Sequence, residues 1–286
     1  MTTPEHLGTT YLRPLSVEDA VIMLAAHGGR ILAGGTDFFP RLGETPVRGP
    51  IVDISGLKDL SDISVTPEEV RIGACTTWRT VANAALPRCF DALKAAACEV
   101  GSIQIQNTGT VGGNLCNASP AADGVPPLLV LDADVELTSH RGTRRLPLRD
   151  FMTSYRKTAL RADEILTGVI VPRTIDGPSV FMKLGARRYL VISISMVAAI
   201  VEADANQKIT QVRVAVGACS AVAQRLPTLE DQLRGAPARP GLGALVSLDH
   251  LSLLSPVDDL RGTAAYRLHA TLTLVRRALE ACAMKA

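Results

Sequence analysis

The sequence predicts an α+β chain of two domains, and three observations carry that prediction. First, 286 residues at 47% apolar and 20% charged are ample for a sizeable core, and at roughly 150 residues per domain they point to two units. Second, strand and helix signals alternate over the first sixty or so residues and then mix. Third, the pattern changes after residues 172–178 into sheet followed by helices, which marks a separate α+β unit. The predicted boundaries are 1–175, divided into a small β-α-β subdomain (1–55) and a larger one (56–175), and then 176–286, an antiparallel sheet plus helices.

The elements follow in order. Ser16 before Asp19 resembles a helix cap, because a Ser oxygen accepts an orphan amide and an acid suits the first turn. Val17, Ala20, Val21, Leu24 and Ala25 recur at helical spacing until Gly28-Gly29 stop the helix. Residues 30–33 read as a strand running directly into Gly34-Gly35-Thr36-Asp37, and 51–54 as another, bounded by Pro50 and Gly56. Val70-Arg71-Ile72 is a strand, Thr77 caps a helix through Asn83, and 91–100 is Ala-rich and helical. The Gly/Asn/Thr/Ser stretch 101–123 is expected to interrupt regular structure. Pro126-Pro127 open an apolar helix through Leu131, residues 134–139 alternate as a strand, Arg141-Gly142 turn, and 164–171 form a further strand. In the last domain, 181–183 is expected to run on into a strand over 191–201. A strand at 212–217, a helix near Thr228 and a long helix from Thr263 to Ala281 complete it.

Composition excludes several classes of function. Thirty Lys plus Arg against 28 Asp plus Glu leave a net charge of +2, without the basic excess of a nucleic-acid binder. One Trp, four Tyr and five Phe supply no base-stacking platform. No unbroken apolar run, Met196 to Val201 included, approaches the ~20 residues a membrane span needs. The start, MTTPEHLGTTYLRP, has neither a basic nor an apolar leader region, so no secretory signal is expected. Cys75, Cys89, Cys98, Cys116, Cys219 and Cys282 form no C-x-x-C pair, and His6, His27, His140, His250 and His269 show no ligand spacing. The expectation is a cytoplasmic chain with no metal or iron–sulfur cluster of its own.

Two short turns carry the chemistry. The first is Leu32-Ala33-Gly34-Gly35-Thr36-Asp37; the second is Asn107-Thr108-Gly109-Thr110-Val111-Gly112-Gly113-Asn114-Leu115. Glycine pairs let backbone approach a ligand closely, consecutive amides make an anion-binding concavity, and Thr36, Thr110 and Asn114 add side-chain donors. Two such loops converging could hold a diphosphate with no basic residue. Either alone is an ordinary turn. Neither matches G-x-G-x-x-G, and the chain has no P-loop and no G-x-S-x-G elbow.

Together with Ala118-Ser119-Pro120-Ala121-Ala122-Asp123, Asp163-Glu164-Ile165-Leu166, Lys183-Leu184-Gly185-Ala186-Arg187-Arg188 and Ser255-Pro256-Val257-Asp258-Asp259-Leu260-Arg261-Gly262, these turns resemble the FAD-binding medium subunit of the molybdenum hydroxylases. That family includes xanthine dehydrogenases, carbon monoxide dehydrogenases and N-heteroaromatic hydroxylases, and the resemblance covers essentially the whole chain. It implies a two-subdomain FAD-binding fold of the PCMH/vanillyl-alcohol-oxidase type followed by a CO-dehydrogenase-flavoprotein-like C-terminal domain. It implies cofactor contacts from Ile31, Leu32, Ala33, Gly34, Gly35, Thr36, Asp37 and Phe38, and from Thr110, Val111, Gly112, Gly113 and Asn114. Asp123 would accept hydrogen bonds from sugar or ribityl hydroxyls, its bland alternative being a helix cap. Leu166 would pack on the flavin ring, Lys183 would place a cation near it, and Tyr189 could cover a ring face. Gln106 departs from the family, where a basic residue is frequent. Cys116 reads as a small residue beside the loop rather than a redox group.

The resemblance further implies an electron-transfer subunit that takes electrons from the 2Fe-2S clusters of a small partner subunit and passes them to NAD or another acceptor. A large partner with a molybdenum–pterin centre would hydroxylate the organic substrate, in a heterotrimer that dimerises, with no nucleic acid and no membrane span. The alternatives are a stand-alone flavin reductase of the same fold, which predicts acid–base residues over the flavin, and a cofactor-free assembly or adaptor protein.

Overall fold

The computed structural model describes residues 10–285; His6 and the first nine residues of the stretch read as lacking a leader lie outside them. The chain opens with β1 (Tyr11–Leu12), α1 (Val17–His27), β2 (Arg30–Leu32), α2 (Phe38–Leu42) and β3 (Ile51–Asp53). The strands form a parallel sheet in the order β1-β3-β2. Ser16 Oγ accepts the Asp19 amide at 3.0 Å, and Gly28, at φ 63°, ends α1. The buried face of α1 (Ala20, Val21, Leu24) packs with Val52, Ile54, Leu57 and Leu60, and with Cys75 and Ile165 from the next unit. Strand β1 and the one-turn α2 go beyond the sequence expectation, being too short to leave a periodic signal.

The middle of the chain runs β4 (Ile63–Val65), β5 (Glu69–Gly73), α3 (Trp78–Asn83), α4 (Asp91–Glu99), α5 (Ile103–Thr108), α6 (Val111–Asn117) and α7 (Val125–Val130). It continues with β6 (Asp134–Ser139), β7 (Gly142–Pro147), α8 (Leu148–Phe151), the β8 (Met152–Ser154) and β9 (Lys157–Thr158) hairpin, and β10 (Ile165–Pro172). An antiparallel sheet orders β4-β5-β10-β6-β7. Residues 101–123 are not irregular throughout, as their composition implied. Hydroxyl caps start two short helices there: Ser102 Oγ accepts the Ile105 amide, and Thr110 Oγ1 accepts the Gly113 amide. Burial of Val111 and Leu115 then outweighs the weak helix propensity of Gly112-Gly113.

Four antiparallel strands follow in the order β11-β12-β13-β14: β11 (Ser179–Leu184), β12 (Ser195–Ala203), β13 (Ile209–Gly217) and β14 (Gln224–Arg225). Helices α9 (Pro227–Leu233) and α10 (Ala264–Ala283) complete the chain. The apolar run of β12 is buried on both faces. Ala198 and Ile200 join the core of the middle unit, while Val197, Ala199 and Val201 pack with Leu229, Val275 and Leu279 of the helices. Residues 181–201 do not run on as one stretch of strand. The segment 185–194 loops out, with Leu190 at φ 52° and the Arg187 guanidinium donating to the Tyr189 and Leu190 carbonyls at 3.0 and 2.6 Å. Among the described residues no helix is long and apolar enough to cross a membrane, and no group of three or more His, Cys, Asp or Glu could hold a metal ion. All six cysteines are free.

Candidate functional site

The two glycine turns meet. A Cβ on Gly34 would lie 2.0 Å from the Thr108 carbonyl oxygen, so the first turn rests backbone to backbone on the second. A Cβ on Gly112 would lie 2.7 Å from Ala74 Cβ and 2.8 Å from Ala74 O, which seats α6 against the end of β5. These glycines are required by protein packing. The joined turns form one side of a cleft of about 450 Å³, a size typical of small-molecule sites.

The turns differ in what they offer. Among the described residues the amides of Gly34, Gly35, Thr36, Asp37 and Phe38 find no acceptor, and Gly35 holds φ 70°. In the second turn the donors face inward. Val111 N–H donates to Thr76 O at 3.0 Å, Gly112 to Ala74 O at 2.8 Å, Gly113 to Thr110 Oγ1 at 3.1 Å and Asn114 to Thr110 O at 3.0 Å. Its contribution to the cleft is instead the bare backbone of Gly113 and the Asn114 side chain, whose Oδ1 is buried with no partner. A buried unpaired acceptor is costly, and a ligand hydroxyl or ring N–H would satisfy it.

Ile31, Ala33, Gly34, Gly35, Thr36, Asp37, Phe38, Thr110, Gly112, Gly113, Asn114 and Leu166 line the cleft. Leu32 and Val111, 6% and 0% exposed, are core residues behind it. Leu166 belongs to an aliphatic wall with Ile105, Leu160 and Ile165, held by Glu164. That carboxylate takes Arg144 Nε and Nη2 at 2.7 and 2.9 Å and the Arg161 amide at 2.9 Å. Arg144 keeps its carboxyl below the ordinary range although burial pushes the other way. Sequence reasoning missed Arg30, Arg41 and Trp78, which also line the cleft. The two loops could hold a diphosphate with no basic residue, but the cleft contains two. Arg30 enters through strand β2 and Arg41 through the unforeseen α2.

Asp123 and Lys183 lie off the walls of this cleft and bind each other. Lys183 Nζ donates to Asp123 Oδ2 at 2.7 Å and to Glu99 O at 3.3 Å, and Ser193 Oγ donates to Asp123 Oδ1 at 2.7 Å. Burial pushes the Asp123 carboxyl up while Lys183 pulls it back. The pair ties the first 175 residues to both ends of the 185–194 loop, and Asp123 does not cap α7, whose cap residue is Gly124. Lys183 also lines a second cleft of about 400 Å³ with Glu99, Arg187 and Arg188. Tyr189 is 63% exposed beneath the Arg188 guanidinium, 5.1 Å from its ring centroid. Gln106 is buried and donates to Cys98 O at 2.9 Å. Cys116 is exposed at the cleft wall, with desolvation by the surrounding protein pushing its thiol up to about 12.

Comparison with known proteins gives two family matches: an FAD binding domain in molybdopterin dehydrogenase over residues 6–174, and a CO dehydrogenase flavoprotein C-terminal domain over residues 181–282. The chain is 32% identical over 277 residues to the nicotine 6-hydroxylase medium subunit of Paenarthrobacter nicotinovorans, covering 94% of this chain and 95% of the relative. It is 36% identical over 236 residues to the nicotinate dehydrogenase FAD-subunit of Eubacterium barkeri, covering 79% and 80%. The fold matches a chain in the crystal structure of a cyanide-inactivated Cu,Mo-CO dehydrogenase at TM-score 0.90 and 25% identity, over 97% of this chain and 98% of that one.

Proposed function

This chain belongs to the family of FAD-binding medium subunits of the molybdenum hydroxylases, and from that premise we propose that it is the electron-transfer subunit of such a complex. It would receive electrons from the 2Fe-2S clusters of a small partner and deliver them to NAD or another acceptor. The large partner would carry the molybdenum–pterin centre, in a heterotrimer that dimerises in the cytoplasm. The proposed division falls near residue 176, between β10 and β11.

The observation that carries the reading is the run of five free amides, Gly34 to Phe38, beside an aliphatic wall. The residues fit FAD on their chemistry. Free N–H groups suit a diphosphate, the unpaired Asn114 Oδ1 suits a donor, and Leu166 with its neighbours suits an apolar ring face. Gly34, Gly35, Thr36, Asp37 and Phe38 would hold the diphosphate, with Gly113 leaving room and Ile31 and Ala33 flanking it. Thr110, Gly112 and Val111 fix the second turn behind them. The Asp123–Lys183 pair would hold the 185–194 loop in position and keep a buried cation on the wall of the adjoining cleft. Bound FAD supplies a redox centre able to take electrons singly and release them in pairs. The titratable groups on the cleft walls are Arg30, Asp37, Arg41 and Cys116, which provide no acid–base pair for a stand-alone reductase.

The test is flavin content. The purified full chain should carry FAD, identified by its absorption bands and by mass after release. In the assembled complex, stripping FAD should stop reduction of the final acceptor while substrate still bleaches the iron–sulfur spectrum. A chain that neither retains nor rebinds FAD would sink the reading.

A further inference from the structure

Two guanidiniums, Arg41 on the wall of the cleft and Arg156 behind Asn117, converge on one neutral oxygen. Arg41 Nη2, from α2 just after the first turn, and Arg156 Nη1, from the β8–β9 turn, both donate to Asn117 Oδ1 at the end of α6, the second at 2.8 Å. Among the described residues neither arginine has a carboxylate within ion-pair distance. Arg156 sits at φ 52°, its backbone N–H bonded to Ala118 O at 3.0 Å and its guanidinium 5.7 Å from the Tyr155 ring centroid. Arg156 is thus fixed by its backbone as well as its side chain.

Bringing two like charges to one neutral oxygen is unfavourable unless something else gains from it. A guanidinium carries five N–H donors in a planar fork. Arg41 gives one to Asn117, and Arg156 gives one to Asn117 and one, at 3.4 Å, to Tyr155 Oη. Most of the donors remain free. Arg41 and Asn117 themselves line the cleft that holds the free amides.

We propose that Arg41 and Arg156 form a guanidinium clamp for a phosphate of the dinucleotide cofactor, with Asn117 setting the spacing between them. This rests on the FAD reading above. The amides of the first turn supply direction to the diphosphate, and the clamp supplies the positive charge that the turn lacks. The selectivity it confers is for FAD over flavins without phosphate.

The experiment titrates the full chain, cleared of flavin, with FAD and in parallel with riboflavin, which has the same ring and no phosphate, over a series of salt concentrations. Arg41→Met and Arg156→Met should each weaken FAD about tenfold, flatten its salt dependence and leave riboflavin affinity unchanged. Asn117→Asp puts a carboxylate where the forks converge, so it should raise the melting temperature while weakening FAD. Unchanged FAD affinity and salt dependence in both arginine variants would overturn the clamp. So would equal loss of FAD and riboflavin, which would assign the arginines to folding alone. Normal FAD binding with failure to co-purify with partner subunits would overturn it too, reassigning the pair to docking. If the unaltered chain binds neither flavin, the cofactor reading falls and the clamp with it.

Discussion

The two glycine turns look alike as sequence and differ as structure. The first, Gly34-Gly35-Thr36-Asp37, leaves its amides free and needs a positive φ at Gly35. The second, Thr110-Val111-Gly112-Gly113-Asn114, has its amides bonded inward, and its glycines serve packing and clearance. Paired glycines therefore say that backbone must come close to something, without saying whether that is ligand or protein. Here one turn leaves its amides open on the cleft wall and the other braces it, and Gly34 is where they touch.

That contact is the place to break the comparison with the largest effect. Gly34→Val would put Cβ 2.0 Å from the Thr108 carbonyl oxygen, a backbone atom that cannot swing aside. Both turns must shift, so a loss of about 3 kcal/mol is expected in denaturant melts, together with loss of FAD from the purified chain. Wild-type stability with FAD retained would mean that the turns do not bear on each other.

A paired substitution separates the two roles. Gly35→Ala should cost about 1–2 kcal/mol, because φ 70° is strained for any residue with a Cβ, while the Phe39 ring at 2.9 Å is half exposed and can move. FAD affinity should fall with it as the amides turn. Gly113→Ala meets only Thr110 Oγ1, at 2.8 Å. The gain in helix propensity of about 1 kcal/mol offsets a weakened cap of about the same size. Stability should hold, and FAD affinity alone should drop, since Gly113 is exposed to the cleft. Differential scanning and flavin titration of the pair read the contrast directly. Equal stability losses in both would erase it.

Much of this was legible beforehand. Ser16 and Thr77 announce helix starts because a hydroxyl ahead of an apolar periodic run has few other uses, and both cap as expected; Thr263, read only as the start of the last helix, caps it as well. Residues 101–123 depart from their composition because capping hydroxyls and one buried apolar face outweigh glycine content. Arg41 and Arg30 were invisible, since a lone arginine in a polar stretch carries no spacing signal. The Asp123–Lys183–Ser193 cluster joins residues 60 and 70 apart in sequence, and only the topology of β11 and the 185–194 loop brings them together. Local rules find turns and caps; which side of a turn faces a ligand is a tertiary fact.

The aliphatic wall of the cleft gives the smallest effect and a test of a different kind. Glu164 immediately precedes Ile165 and Leu166 and is held by the bidentate Arg144 pair at 2.7 and 2.9 Å. Arg144 keeps its carboxyl below the ordinary 4.5 although burial opposes it. A carboxyl lowered in the folded chain binds fewer protons than in the unfolded one, so its stabilisation is present above 4.5 and is lost as pH falls through and below that value. Glu164→Gln should therefore lower stability at neutral pH and make the acid limb of the stability–pH curve shallower. It should not flatten it, because Asp53 and Asp259 are also held low. Gly34→Val and Gly35→Ala act through sterics and backbone strain, so they should displace the same curve downward without changing its slope. If Glu164→Gln only displaced the curve, the Arg144 pair would be a packing contact, and the wall would owe its position to the β10 ladder alone.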